Sequence, residues 1–120
     1  MTQRIFVYGT LKRGLSNARH LDGQCFIGET RTQPFYRMVN CGGYPGMVLV
    51  SQDGVSVRGE IWDVDAACRE KLDDLEGVDV GMYELATVKL LPPFDHEVIM
   101  TYLYKLPVSG LEDVGDEWRE

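Results

Sequence analysis

The sequence is poor in the residues that build disulfide frameworks and metal centres. Its 120 residues include only three cysteines and two histidines. An odd number of cysteines with no C-x-x-C pair argues against a disulfide framework and against a zinc site, and it favours a reducing cytoplasm. There is also no acidic D-x-D-x-D loop of the kind that binds calcium. We therefore expect no metal site.

Positive charge and long apolar runs are scarce as well. Twelve basic residues against 19 acidic ones give a net charge of −7, which argues against a nucleic-acid partner. The first apolar run, residues 5–8, is too short for a signal peptide, and no stretch approaches the length of a membrane span. We expect a cytoplasmic protein without a membrane partner. Its oligomeric state is not readable from the sequence.

The remaining composition is that of one ordinary globular domain. Hydrophobic residues make up 44% of the chain and charged residues 26%, and no repeat, low-complexity run or linker divides it. We expect residues 1–120 to form a single domain. Acidic residues are concentrated late in the chain, and the last acidic cluster, within residues 112–120, is predicted to be a solvated tail.

Short strands and one main helix are predicted. Turn residues separate the strand candidates, which are 4–8, 24–30, 35–40, 46–50, 55–64, 83–91 and 96–104. Gly59 inside one of them indicates either a bulge or a close packing partner. A short helix is expected at 16–21. These elements predict the α+β class, closed as a small barrel or a strongly curled sheet.

The main helix is predicted from about Ala66 to Leu75. Asp65 is a plausible N-cap, and an apolar stripe recurs at helical spacing after it. Gly77 is placed to end the helix in the left-handed conformation.

The first strand ends on a glycine, in the stretch Tyr8-Gly9-Thr10-Leu11. Gly9 and Gly14 have the spacing of a phosphate-binding P-loop, but the residues that follow, Leu15 and Ser16, lack the required Lys at position 15, which excludes nucleotide binding. Successive N–H groups of Gly9, Thr10 and Leu11 can instead form a concavity that holds an anion or a carbonyl oxygen. The alternative is a plain turn.

Cys41-Gly42-Gly43 has the composition of a nucleophile in a glycine-rich turn, with His20 or His96 as the base. Neither histidine has an identifiable orienting partner in the sequence. The sequence favours a simple turn here.

Glu76 stands at the C-terminal end of the main helix, directly before Gly77. The negative end of the helix dipole and the neighbouring Asp73 both disfavour a charged carboxylate there, and burial would act in the same direction. We expect a raised pKa, which is typical of groups that move protons. The alternative is an exposed acidic helix end.

Several motifs in order resemble the γ-glutamylcyclotransferase-like family, over almost the whole chain. The resemblance rests on Tyr8-Gly9-Thr10-Leu11, Tyr44-Pro45-Gly46, the stretch 59–65, the stretch 72–77 with Tyr83 after it, and Tyr102-Leu103-Tyr104. It implies a small, mostly antiparallel β-barrel with flanking helices and a cavity at one end. Leu85 is a departure, because family members commonly have arginine there.

The resemblance also implies an activity and a set of site residues. Glu76 is expected as the general acid/base, and Tyr8, Gly9, Thr10, Leu11 and Tyr83 as substrate-binding residues. The implied partner is a small-molecule γ-glutamyl substrate, which would release 5-oxoproline without a metal or an organic cofactor. On this interpretation Gly9 is a glycine because a Cβ would occupy the space of the substrate. The rival hypothesis is a binding module of the same fold that holds such a ligand without turnover.

Overall fold

Seven strands and one α-helix make up the secondary structure of the computed structural model, which describes residues 2–120. The α-helix is α1, Ala66–Leu75, and two short 3-10 helices span Ala18–Leu21 and Val78–Val80. The strands are β1 (Thr2–Val7), β2 (Cys25–Arg31), β3 (Tyr36–Asn40), β4 (Pro45–Leu49), β5 (Arg58–Asp65), β6 (Tyr83–Thr87) and β7 (Met100–Tyr104). The predicted α+β class is confirmed.

All seven strands belong to one mixed, curled sheet with the order β2-β5-β1-β7-β4-β3, and β6 also pairs with β7. Four strand pairs are antiparallel, whereas β7 runs parallel to both β1 and β4. Because β6 pairs with β7 along its whole length, β1 and β4 must share the other edge of β7. They do so at separate points, β1 opposite Met100 and β4 opposite Leu103. The end of β1 therefore meets the start of β4.

Apolar side chains cover both faces of the sheet around β1. Phe6 belongs to one buried cluster, and Ile5 and Val7 belong to another. Successive side chains of a strand point to opposite faces, so β1 is buried from both sides. Helix α1 contributes Cys68 and Leu72 to the second cluster. This packing fixes the end of α1 over the end of β1.

The main helix lies where the sequence predicts it. Its predicted N-cap is confirmed, because the carboxylate of Asp65 accepts a hydrogen bond of 2.8 Å from the backbone N–H of Cys68. Gly77 follows the helix with a φ of 66°, the left-handed conformation expected of it. Within residues 2–120, no helix is both long and apolar enough to cross a membrane.

Two predicted strands are too long. β6 ends at Thr87 and β7 begins only at Met100, whereas the sequence pattern extends to residue 91 and starts at residue 96. The N–H of Val88 still donates to Ile99, but the next residues leave β7 and approach β2, where the N–H of Leu91 donates to Arg31. The sequence pattern therefore predicts the extended conformation of these residues correctly, but it cannot show that their pairing changes from β7 to β2.

Gly59 is explained by close packing. A Cβ at this position would lie 2.4 Å from the ring of Phe6 and 2.5 Å from the carbonyl oxygen of Val7. β5 therefore approaches β1 so closely that only glycine fits at position 59. The bulge is on the neighbouring strand, where the register of β2 shifts between Phe26 and Gly28.

The prediction that residues 112–120 form a solvated tail is wrong. The C-terminal residues pack across the sheet, and the side chain of Trp118 is only 8% exposed within the first apolar cluster. Backbone hydrogen bonds join Val114 to Met38 and Arg58 to Asp116. The acidic residues misled the prediction because they form the exposed side of the segment, where Asp116 pairs with Arg31.

The packing of Trp118 gives a testable prediction. Trp118→Ala should lower the free energy of unfolding by about 3 kcal/mol, because it empties a buried aromatic position. The exposed side chain of Glu112 makes a matched control, and Glu112→Ala should change stability by less than about 0.5 kcal/mol. Urea denaturation of the three proteins measures both values. Equal stability of the Trp118 variant and the parent would show that the segment is not part of the core.

Candidate active site

A cavity of about 280 Å³ lies where the end of β1, the start of β4 and the end of α1 meet. The six residues proposed from the sequence all lie on its wall: Tyr8, Gly9, Thr10, Leu11, Glu76 and Tyr83. Ten further residues complete the wall: Phe6, Val7, Ser16, Asn17, Gly43, Tyr44, Pro45, Leu75, Met82 and Tyr102. The structure thus brings together two motifs that are more than sixty residues apart in the chain.

Glu76 is the one acidic residue of this wall. It caps the C-terminal end of α1, where its backbone N–H donates to the carbonyl of Leu72 at 2.9 Å. Gly77 then turns the chain away from the helix axis. Burial raises the pKa of the Glu76 carboxyl to about 7. Near neutral pH, this group is therefore able both to take up and to give off a proton.

The direction of this pKa shift agrees with the sequence analysis, but its cause differs. The expected neighbour effect of Asp73 is absent, and burial alone raises the pKa of Glu76. The carboxylate of Asp73 faces Arg69, whose Nε donates to it at 3.1 Å, and the hydroxyl of Tyr102 donates to it at 2.6 Å. An ion pair with arginine offsets the charge of Asp73 locally. The sequence could not show this pairing.

The Tyr8–Leu11 loop keeps its backbone donors available. The carbonyl oxygen of Gly9 accepts from the N–H of Lys12 at 3.1 Å, and that of Thr10 accepts from the N–H of Asn17 at 2.9 Å. Among residues 2–120, no acceptor pairs with the N–H groups of Gly9, Thr10 or Leu11. The loop is both a turn and a set of three donors at the cavity wall, the arrangement that suits an anion or a developing oxyanion.

The reason for the glycine at position 9 must be corrected. A Cβ there would lie 2.6 Å from Cγ of Pro45, so the space it would take is filled by β4 and not by a substrate. The glycine is required because two strand ends approach each other. A similar approach follows at Gly46, whose Cβ would lie 2.6 Å from the ring of Tyr104.

The two tyrosines predicted to bind substrate both hold the strand junction together. The hydroxyl of Tyr8 donates to the carbonyl of Tyr102 at 2.6 Å and accepts from the N–H of Met47 at 3.1 Å. The hydroxyl of Tyr83 donates to the carbonyl of Pro45 at 2.7 Å. Burial raises the pKa of both phenols far above the usual value. They stay neutral and position β4 and β7.

Sequence reasoning missed Tyr102 as a wall residue. Its ring lines the cavity while its hydroxyl reaches Asp73 on α1. The signal was present, because the Tyr102-Leu103-Tyr104 motif was part of the family resemblance. What the sequence does not reveal is that β7 passes beneath the end of α1.

The alternative nucleophile and the basic residues after the loop have other roles. Burial raises the pKa of the Cys41 thiol, which opposes thiolate formation. The side-chain oxygen of Asn40 accepts from the N–H groups of Gly42 and Gly43, so this segment is a turn, as the sequence favours. The ammonium group of Lys12 donates to the carbonyl of Trp118 and lines a different cavity. Within residues 2–120, no three metal-ligating side chains form a cluster.

The fold and the cavity define a small, curled-sheet α+β protein with a partly buried carboxyl and a backbone donor loop on one cavity wall. Residues 5–120 match the family model described as gamma-glutamyl cyclotransferase, AIG2-like. The chain belongs to this family, and its enzyme class is the cyclotransferase type.

Known relatives agree with this assignment. A Vibrio cholerae protein named "Putative gamma-glutamylcyclotransferase" is 37% identical over 116 residues, which cover 97% of this chain and 96% of that protein. A solved structure of a uropathogenic E. coli protein has 29% identity and a TM-score of 0.79, covering 95% of this chain and 88% of that one. The AIG2-like protein of Mus musculus has 31% identity and a TM-score of 0.69, covering 88% and 77%.

The pKa of Glu76 gives a second prediction. Its folded-state pKa, about 7, lies above that of an unfolded glutamate, so between these values the folded state binds more protons. Stability should therefore fall as the pH rises from about 4.5 to about 7, by an amount on the order of 2 kcal/mol. Urea denaturation across this range measures the loss.

Glu76→Gln should abolish most of this pH-dependent loss, since the amide does not titrate. Glu70→Gln, which changes an exposed carboxylate on the same helix, serves as the control and should keep it. Parallel pH dependences for the parent and the Glu76 variant would contradict a raised pKa at Glu76.

Proposed function

We propose that this cyclotransferase releases 5-oxoproline and a free amine or amino acid from a γ-glutamyl substrate, with Glu76 as the general acid/base. The observation that carries the proposal is the position of Glu76. It is a partly buried carboxyl with a pKa raised to about 7, on the wall that also holds the free N–H groups of the Gly9–Leu11 loop. The proposal assigns the activity to residues 1–120 as one domain in a reducing cytoplasm.

The nucleophile of this reaction is part of the substrate. The α-amine attacks the γ-carbonyl carbon, a new C–N bond closes the ring, and the bond from that carbon to the leaving nitrogen breaks. The enzyme must hold the substrate in a folded pose and transfer a proton. The α-nitrogen loses two protons as it changes from an ammonium to the ring amide, and the leaving nitrogen gains two as it departs as an ammonium. Glu76 takes the first proton from the α-ammonium and gives it to the leaving nitrogen, and the second proton follows by the same exchange, so Glu76 ends the cycle in the protonation state in which it began.

The backbone loop supplies the electrostatic part of the mechanism. The γ-carbonyl oxygen gains negative charge when the amine attacks, and preorganised N–H donors stabilise that charge. The N–H groups of Gly9, Thr10 and Leu11 are free for the substrate, because the loop is held through its carbonyl oxygens. Tyr8 supports this wall through its bonds to β4 and β7, and Tyr83 supports it through its bond to β4.

The test is the isosteric variant Glu76→Gln. It should lower the rate of 5-oxoproline release by roughly 100-fold or more, the usual contribution of a general acid/base. Binding of the γ-glutamyl substrate, measured by calorimetry, should persist, because the loop is intact. Asp74→Asn alters an exposed acid two residues away and should keep near-parental turnover.

Other outcomes have distinct meanings. Turnover of the Glu76 variant near that of the parent would exclude Glu76 from the mechanism. Binding without 5-oxoproline release by the parent protein, over a panel of γ-glutamyl amines and dipeptides, would favour the binding-module alternative.

A further inference from the structure

A second cavity begins where the Tyr8–Leu11 loop ends. Gly9–Leu11 line the cavity of Glu76, whereas the next two residues, Lys12 and Arg13, line a cavity of about 740 Å³. Among residues 2–120, none lines both cavities, and the volume of the second is in the usual range of small-molecule sites. A ligand of the second cavity would therefore occupy a site separate from that of the γ-glutamyl substrate.

Charge distinguishes the second cavity from the first. Of residues 2–120, no basic one lines the wall around Glu76, whereas five line the second wall: Lys12, Arg13, Arg31, Arg58 and Arg119. Four glutamates of the same range line it as well: Glu29, Glu60, Glu117 and Glu120. The charges that remain available to a ligand depend on how these side chains pair with one another.

Three of the four glutamates are bound by neighbouring groups. Glu60 accepts from the backbone N–H of Arg13 at 3.0 Å and from its Nε at 3.2 Å, and Glu29 pairs with the same guanidinium at 3.2 Å. Glu120 accepts from the N–H and the hydroxyl of Ser16, both at 2.8 Å. Arg13 is thus occupied by two carboxylates, and three of the four acidic side chains are held in place.

The other arginines of the wall have fewer acidic partners. Arg31 pairs with Asp116 at 3.1 Å. Arg58 and Arg119 share the carboxylate of Glu117, which lies 3.9 Å from Nε of Arg58 and 3.2 Å from Nη2 of Arg119. Both of these guanidinium side chains are more than half exposed, so each keeps N–H donors for a ligand.

Lys12 is a buried cation that forms no salt bridge within residues 2–120. It is only 9% exposed, and among these residues its ammonium donates to one acceptor, the carbonyl of Trp118 at 2.9 Å. An ammonium has three N–H donors, so two remain for a ligand. Burial lowers the pKa of Lys12, and the charges of Glu117 and Glu60 offset only part of this effect. An anion beside Lys12 would offset the cost of burying its charge.

The C-terminal segment brings the three available cations together. Trp118, whose carbonyl accepts from Lys12, stands between Glu117 and Arg119 in the chain. Arg58 lies against the same segment, because its backbone N–H donates at 2.8 Å to the carbonyl of the residue before Glu117. Three cations with one shared carboxylate leave a local surplus of two positive charges.

We propose that this second cavity binds the phosphate group of a small molecule through Lys12, Arg58 and Arg119. A phosphate group carries about −1.5 to −2 charges near neutral pH, which matches the surplus. The planar guanidinium groups of arginine suit its oxygens. The inference is independent of the proposed function, since it concerns another cavity and no step of that reaction.

A set of small anions tests the class of ligand. Phenyl phosphate and benzoate carry the same ring on a phosphate and on a carboxylate, and inorganic phosphate has no ring. In an NMR titration of the whole chain at constant ionic strength, phenyl phosphate should shift the signals of Lys12, Arg58 and the Trp118 indole. Its Kd should be at least roughly tenfold lower than that of benzoate, because its additional charge meets a further cation.

Inorganic phosphate separates two sources of the same group. An affinity equal to that of phenyl phosphate would support the inference with free phosphate as a sufficient ligand. A weaker affinity at the same signals would support it with a phosphate monoester as the ligand. Absence of shifts at the second cavity with both phosphates, or benzoate binding as tight as that of phenyl phosphate, would overturn the inference.

Variants of the exposed side chains locate the site. Arg58→Gln and Arg119→Gln should each weaken phenyl phosphate binding by roughly fivefold or more. Glu117→Gln removes the competing carboxylate and should tighten binding by roughly threefold. Lys105→Gln is the control, because it makes the same change of net charge at a residue that pairs with Glu84 outside this cavity, and it should leave Kd unchanged. Unchanged Kd values in both arginine variants would contradict the site.

The buried cation is tested separately. Lys12→Gln should weaken binding by roughly 10- to 100-fold, the usual effect of losing a hydrogen-bonded charge, and Lys12→Arg should restore part of the affinity. Because Lys12 also holds the carbonyl of Trp118, a melting curve accompanies both variants. Phenyl phosphate binding that is unchanged in a folded Lys12→Gln protein would contradict the role given to Lys12.

Discussion

The site depends on the shared edge of β7. β1 and β4 occupy successive parts of this edge, and the hydroxyl of Tyr8 connects the three strands by donating to Tyr102 and accepting from Met47. The two strand ends pack closely at this junction, where a Cβ at Gly9 would lie 2.6 Å from Pro45. The cavity lies beside the junction, and the loop after β1 forms part of its wall with three N–H groups free for a ligand.

The second constraint is the cost of burying a carboxyl. A charged group removed from water without a partner is unfavourable, and Glu76 responds with a pKa raised to about 7. The rest of the fold tolerates this cost because α1 is fixed independently, by its N-cap at Asp65 and by Cys68 and Leu72 in the core. The cap and the core contacts thus hold α1 in place, while its C-terminal end places the Glu76 carboxyl at the cavity wall.

Local patterns of the sequence predicted the local features well. The bounds of α1, its cap and the left-handed Gly77 follow from residue types within one helical turn, and the motifs of the resemblance pointed to residues that line one cavity. Features that depend on distant partners were missed. Position 9 must be a glycine because Pro45 packs against it, and Arg69 forms an ion pair with Asp73. Val114 and Trp118 pack inward and hold the C-terminal segment against the core, although its acidic residues suggested a solvated tail. None of these pairings leaves a periodic signal in the sequence.

The central claim is that Glu76 acts as the base that starts the cyclisation, and the pH dependence of kcat/KM tests it most directly. A base must be deprotonated to accept the proton of the α-ammonium, so the free enzyme should gain activity through the pKa of Glu76. The account predicts that kcat/KM for 5-oxoproline release rises with an apparent pKa near 7 on the acid side of the profile. A profile whose acid limb lies at the pKa of an ordinary carboxylate, about 4.3, or that has no acid limb, would contradict it.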